Sequence, residues 1–80
     1  MSLNILAFGI VKKFFGHHSI ELEVQKGLTV AGLKGKLEIV YPDMKRLGTY
    51  MIAVNDEYAE DDLVMHPEDE IAIIPPVSGG

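Results

Sequence analysis

Residues 69–80 read DEIAIIPPVSGG, which is an acidic turn, an apolar run, two prolines and a final pair of glycines. The apolar residues 71–74 are typical of a strand at the centre of a sheet, and we expect both of its faces to be buried. The prolines end this strand because proline cannot donate a hydrogen bond to a neighbouring strand, and they keep the following chain extended. We therefore predict a single domain over residues 1–74 and an extended C-terminal tail over residues 75–80.

The chain upstream of this run carries strand and helix signals in turn. Residues 3–8 are mostly apolar and residues 19–25 alternate strictly between apolar and polar side chains, so both segments are predicted to be strands. Between them, residues 10–15 are predicted to form a short helical turn. Thr29 is a suitable N-cap for a longer helix, which Pro42 ends. The apolar stripe of this helix comprises Val30, Leu33, Leu37, Val40 and Tyr41.

One further strand is predicted at residues 50–55, followed by an Asn-Asp turn and a short return strand. Strands around one main helix, in a chain of 80 residues, predict a single domain of the α+β class. In this arrangement the helix packs across one face of a mixed sheet. The first and last strands are the most apolar, so we expect them at the centre of that sheet.

The composition excludes several kinds of site. The chain has no cysteine, which rules out disulfides, iron–sulfur clusters and a cysteine nucleophile. His17, His18 and His66 are interpreted as solvated surface residues and not as metal ligands, because adjacent histidines on a turn diverge and His66 lies in an acidic loop. No apolar run approaches the roughly 18 residues that cross a bilayer, so we expect a cytoplasmic protein that does not contact membranes.

Charge is distributed unevenly along the chain. Seven basic and twelve acidic side chains give a net charge of −5, and the half from residue 41 onward holds two of the basic and nine of the acidic ones. This balance argues against binding to the phosphates of nucleic acids and favours a basic protein partner. Glu68 and Asp69 are the candidate partner contacts, and ordinary solubility charge is the alternative.

The glycines at the end of the tail suit a reactive terminus. Gly79 and Gly80 have no side chains, so this part of the chain fits a narrow channel and leaves the terminal carboxyl carbon open to attack. Six extended residues span roughly 20 Å, which takes the carboxylate well clear of the domain. A frayed terminus is the alternative, but a tail that only frays does not need two prolines to hold it straight.

The twelve residues quoted above, together with Ala53-Val54-Asn55 and Leu28-Thr29-Val30, resemble the small subunits of molybdopterin synthase, a family of ubiquitin-like sulfur carriers. The resemblance extends over nearly the whole chain and implies a β-grasp fold. It also implies that Gly80 is adenylated by an ATP-using, E1-like activating enzyme and is then converted to a thiocarboxylate with sulfur from a sulfurtransferase. The tail residues implied to enter the large synthase subunit are Pro75, Pro76, Val77, Ser78 and Gly79.

The resemblance further implies the fate of that sulfur. Within a heterotetrameric synthase it passes to cyclic pyranopterin monophosphate during molybdenum cofactor biosynthesis, while this chain binds no cofactor stably and has no activity alone. Ile73 and Ile74 alternate faces of their strand, so one can join the core while the other contributes to an apolar docking surface. Two alternatives stay open: a sulfur carrier of another pathway, such as thiamine thiazole formation or thio-modification, and a β-grasp interaction module whose tail is inert.

Overall fold

The computed structural model of the protein describes residues 1–76, which form one five-stranded sheet and its covering helices. The elements in chain order are β1 (Ser2–Ala7), α1 (Ile10–Phe15), β2 (Ser19–Glu23), α2 (Val30–Val40), a 3₁₀ helix (Pro42–Leu47), β3 (Met51–Val54), β4 (Glu57–Tyr58) and β5 (Glu70–Ile74).

The sheet is mixed, and its strand order is β2-β1-β5-β3-β4. β1 and β5 pair in parallel, and the other three neighbouring pairs are antiparallel. The most apolar strands therefore lie side by side with β5 at the centre, as the sequence predicted. Helix α2 packs its buried side chains against one face of this sheet, which confirms the α+β class and the β-grasp arrangement.

Strand β5 is buried on one face only. Ile71 and Ile73 are fully buried in the core, whereas Ala72 and Ile74 are half-buried on the opposite face. The prediction that both faces of residues 71–74 are buried is wrong, because the helical layer covers one side of the sheet and leaves the other open. We call this uncovered side the open face.

Helix α2 begins where the sequence indicated. The Oγ1 atom of Thr29 accepts a hydrogen bond of 3.2 Å from the backbone N–H of Gly32, so Thr29 is the N-cap. Three members of the predicted apolar stripe are fully buried, and these are Val30, Leu33 and Leu37. These contacts with the sheet supply the packing that a helix containing two glycines requires.

The C-terminal end of α2 differs from the prediction. Val40 is 46% exposed and does not belong to the buried stripe. Tyr41 leaves the helix and places its ring 4.6 Å from the ring of Phe15 on α1, measured between centroids. Pro42 ends α2 as expected, but it also starts the 3₁₀ helix, which was not predicted and which buries Met44.

Candidate functional site

The edge of the sheet from which the tail departs is set by the pairing of β1 with β5. Ala7 pairs with Ile73 in parallel register, so the two central strands finish at the same edge. The chain after β1 then turns away at Gly9, where φ is +57°, and enters α1. A β-carbon on Gly9 would lie 3.2 Å from Cγ of Pro75, so the missing side chain lets this turn pack closely against the root of the tail.

The tail begins immediately after the last strand. β5 ends at Ile74, and the next residues are Pro75, which is half-buried, and Pro76, which is exposed. The sequence therefore places a proline in contact with the domain and a second one beyond it. The predicted roles of Val77, Ser78, Gly79 and Gly80 fall on positions outside the described residues.

The open face beside the tail root is apolar. Six side chains share this position, and we call them the apolar patch: Leu6, Phe8, Met51, Tyr58, Ala72 and Ile74. Strand register brings them together, because Leu6 pairs with Ala72 and Met51 pairs with Ile74. Phe8, Met51 and Tyr58 are each at least 49% exposed. Most of the patch lines a groove of about 310 Å³, which Asp56 and Glu70 also line.

The two candidate isoleucines fall on different faces. Ile73 is fully buried in the core and offers no surface to a partner, so its assignment as a docking residue is not supported by its position. Ile74 lies on the open face within the apolar patch and lines its groove. Alternation along β5 separates them, since successive side chains of a strand point to opposite sides.

The two candidate acids also differ in their surroundings. Glu68 is exposed in a turn, and its side chain has no hydrogen-bond partner among residues 1–76. Asp69 accepts a hydrogen bond of 2.7 Å from the backbone N–H of His66 and one of 2.9 Å from the side-chain amide of Asn55. These two bonds, the one from His66 foremost, lower the pKa of the Asp69 carboxyl below its ordinary value. Asp69 therefore holds the loop before β5 in place.

The alternation of side chains along β1 already indicates which residues of that strand face the apolar patch. Leu3, Ile5 and Ala7 point into the core, so Leu6 and Phe8 must point to the open face. Phe8 was expected within a buried strand, yet it is 49% exposed. Tyr58 is brought to the same face by its pairing with Ala53 across the β3–β4 turn.

The remaining surface of residues 1–76 shows no metal centre. His17, His18 and His66 are all exposed, and no three metal-binding side chains converge within the described part of the chain. None of the helices in that part has the length and apolar character needed to cross a membrane.

Comparison with known proteins identifies the family to which the sequence is similar. The model of the ThiS family matches residues 5–80. The molybdopterin synthase sulfur carrier subunit of Dictyostelium discoideum is 40% identical over 81 residues, covering 96% of this chain and 94% of that protein.

Solved structures share the same architecture. SAMP1 from Haloferax volcanii matches with a TM-score of 0.83 and 25% identity over the full length of both chains. A chain of the complex of subunits 1 and 2 of molybdopterin-converting factor from Helicobacter pylori 26695 matches with a TM-score of 0.70 and 23% identity, again over the full length of both. Because the family model matches residues 5–80 and a relative with 40% identity covers 96% of the chain, the chain belongs to the ThiS family.

Proposed function

We propose that this chain is the sulfur carrier subunit of a molybdopterin synthase and that it carries sulfur on the terminal carboxylate of Gly80. The observation that carries the proposal is the 40% identity, over 96% of the chain, to a protein named as such a subunit. The root of the tail adds support, because the central strand ends beside the apolar patch of the open face and two prolines follow it directly.

The chemistry requires activation of the terminal carboxylate. A carboxylate is a poor electrophile because its negative charge is delocalised over two oxygens. In the proposed first step, a carboxylate oxygen of Gly80 attacks the α-phosphate of ATP on a separate activating enzyme, and pyrophosphate leaves. In the second step, the terminal sulfur of a persulfide on a sulfurtransferase attacks the carbonyl carbon and AMP leaves, which gives an acyl disulfide. A thiol then attacks the sulfurtransferase sulfur of that disulfide, so that the thiocarboxylate leaves and the thiol is oxidised to a disulfide with the sulfurtransferase.

The tail has to reach a reaction centre in another protein. Pro75 and Pro76 restrict φ, so less conformational entropy is lost when the tail is inserted. Gly79 and Gly80 present no β-carbon, which suits a narrow channel. The proposal includes a cytoplasmic location, where ATP is available to the activating enzyme, and that enzyme uses ATP without its being held by this chain.

A large synthase subunit is the proposed acceptor of the tail. Ile74 and its neighbours in the apolar patch lie beside the tail root, where a partner that receives the tail must come close. The Helicobacter pylori structure is described as a complex of two subunits of molybdopterin-converting factor, which supports a two-protein assembly. A heterotetramer, as the resemblance implies, stays a prediction.

Two terminal variants test the proposal with purified large subunit and cyclic pyranopterin monophosphate. Deletion of Gly80, or addition of one alanine after it, should abolish molybdopterin formation because the reactive carbon is misplaced. Both variants should unfold at the same urea concentration as the wild type, since the last buried core residue of the described chain is Ile73. Wild-type protein that has not been activated serves as the control and should give no product. Molybdopterin formation by either variant would disprove the carrier role of Gly80.

The alternative sulfur pathways differ only in the acceptor. A thiocarboxylated carrier of thiamine thiazole formation or thio-modification would have the same terminal chemistry but would not convert cyclic pyranopterin monophosphate. Transfer to that precursor in the presence of the large subunit therefore separates the proposal from both alternatives. An inert interaction module would not be thiocarboxylated at all.

A further inference from the structure

The open face of the sheet has two zones that follow one another along the strands. The apolar patch occupies the end next to the tail. At the other end, Asn4 pairs with Glu21 on one side and with Glu70 on the other, so these three residues form one row across the sheet. Both glutamates are exposed, and neither side chain forms an ion pair within residues 1–76. Glu70 lies four residues, or about 13 Å, from Ile74 along β5, at the end of the patch groove that is farther from the tail.

The basic side chains are segregated from this face. None of the residues of β1–β5 is lysine, arginine or histidine. The lysines and the arginine instead lie on the helices or in the turn before α2, namely Lys12, Lys13, Lys26, Lys34, Lys36, Lys45 and Arg46. The charged side chains of the strands are therefore all acidic, and a basic partner is steered towards the sheet side.

A tail inserted in a channel fixes the distance between two proteins but leaves them free to rotate about the axis of the tail. A second contact away from that axis removes this freedom. The apolar patch begins at the tail root with Ile74, whereas Glu21 and Glu70 lie at its far end, about 13 Å along the strands from that root.

We propose that the open face orients the large subunit of the proposed synthase through both zones, with basic side chains of that subunit facing Glu21 and Glu70. The partner surface this predicts has an apolar area at the mouth of its channel and lysine or arginine about 13 Å away. The proposal rests on the proposed function and replaces Glu68 and Asp69 as the main charged contacts. Asp69 is already bound to Asn55 and His66, and Glu68 lies in the turn before β5, outside the row.

Variants that replace glutamate with glutamine distinguish the effect of the acidic row from the effect of net charge. The pair Glu21→Gln and Glu70→Gln should weaken binding to the large subunit by roughly 2- to 30-fold at low salt, as expected for the loss of two exposed ion pairs. It should also reduce the dependence of affinity on salt. The control is Glu60→Gln with Glu68→Gln, which changes the net charge equally at exposed positions outside the row. We expect a smaller loss from this control.

A matched pair of alanine variants tests the apolar patch. Phe8→Ala should weaken binding, whereas Ile39→Ala should not, although Ile39 is the more exposed of the two at 79% and lies on α2. Because the chain has no cysteine, Glu21→Cys and Ile39→Cys each provide a single attachment point for a maleimide reagent that reacts with amines at its other end. The reagent at position 21 should capture lysines of the large subunit, and the reagent at position 39 should not.

The outcomes separate this inference from the proposed function. If the wild type neither binds the large subunit nor supports molybdopterin formation, the proposed function fails. If the wild type does both, but the two glutamine pairs weaken binding equally or position 21 captures no partner lysine, only the orientation by the open face is overturned. Capture from position 39 in place of position 21 would assign the interface to the helix side.

Discussion

Asn55, in the turn between β3 and β4, is hydrogen-bonded to Asp69, which lies fourteen residues later in the loop before β5. The amide of Asn55 donates a hydrogen bond to the Asp69 carboxylate, while its oxygen accepts one of 3.0 Å from the backbone N–H of Glu70. Asn55 adopts a positive φ of 53° in that turn, which asparagine tolerates better than most residues. The pair therefore fixes the start of β5, the strand from which the tail departs.

Replacing Asp69 should destabilise the fold more than replacing its neighbour. Asp69→Ala removes two hydrogen bonds to a charged acceptor and should lower the free energy of unfolding by about 1 to 3 kcal/mol. Glu68→Ala is the control, since its exposed side chain has no partner within the described chain, and it should change that free energy by less than about 0.5 kcal/mol. Urea unfolding of both variants measures the difference. Equal stabilities would mean that the Asp69 contacts contribute nothing to the fold.

The same carboxylate should make stability depend on acid pH. Because hydrogen bonds lower the pKa of Asp69 in the folded state, its contribution is fully present above the pKa of the unfolded chain, about 3.9. That contribution is lost as the pH falls through the lower folded value. The difference in unfolding free energy between wild type and Asp69→Asn should therefore shrink as the pH is lowered below about 4. A difference that grows in acid would contradict this sign.

Tyr50 should stay protonated in alkaline solution. Its hydroxyl donates a hydrogen bond of 2.8 Å to Glu38, and burial, together with this carboxylate, raises the pKa of the Tyr50 phenol far above its ordinary value. The stabilisation is complete below the unfolded pKa of about 10 and is lost as the pH rises beyond it. Tyr50→Phe should cost about 1 kcal/mol at neutral pH. Tyr58→Phe is the control, because Tyr58 is 66% exposed and its hydroxyl has no partner within residues 1–76.

An absorbance titration gives the second measurement on Tyr50. Subtracting the Tyr50→Phe curve from the wild-type curve should leave a phenolate signal that develops only when the protein unfolds in strong alkali. A signal complete near pH 10 would show that the hydroxyl is not protected.

The prolines at the tail root should strengthen binding to the large subunit and speed sulfur transfer without affecting the fold. Pro75→Gly with Pro76→Gly adds conformational freedom that must be lost at each insertion, so affinity for the large subunit should fall by roughly 4- to 30-fold. Pro67→Gly is the control, because Pro67 is an exposed proline in a turn outside the tail. Calorimetric binding and single-turnover transfer from the thiocarboxylate measure the effect. If the tail variant binds and transfers like the Pro67→Gly control, the prolines serve only to end the strand.

Local signals in the sequence were sufficient for most of the fold. The Thr29 cap, Pro42 as the end of α2 and the Asn55-Asp56 turn depend on backbone chemistry within a few residues, and the structure has each of them. The apolar composition of β1 and β5 predicted their central position, because strands in the middle of a sheet are shielded from water and are therefore rich in apolar residues.

Long-range relations could not be obtained in this way. Burial of one face of β5 depends on which side the helix covers, and four apolar residues in a row carry no sign of that choice. The bond between Asn55 and Asp69 depends on the pairing of β3 with β5, which brings together segments that are separate in the sequence. The apolar patch likewise exists only after register has aligned β1, β5 and β3.

The carrier role of the terminal carboxylate can be measured directly by mass spectrometry of the intact chain. The full-length protein is incubated with the activating enzyme, ATP and a sulfur donor, and the same reaction is run with the chain lacking Gly80. We expect the full-length protein to gain the mass that corresponds to replacing one oxygen with sulfur, with fragmentation assigning the change to Gly80 and with no gain in the truncated chain. The proposed function would be contradicted if the same activating enzyme thiocarboxylates a known carrier but leaves the mass of this chain unchanged. Sulfur assigned to any residue other than Gly80 would contradict it as well.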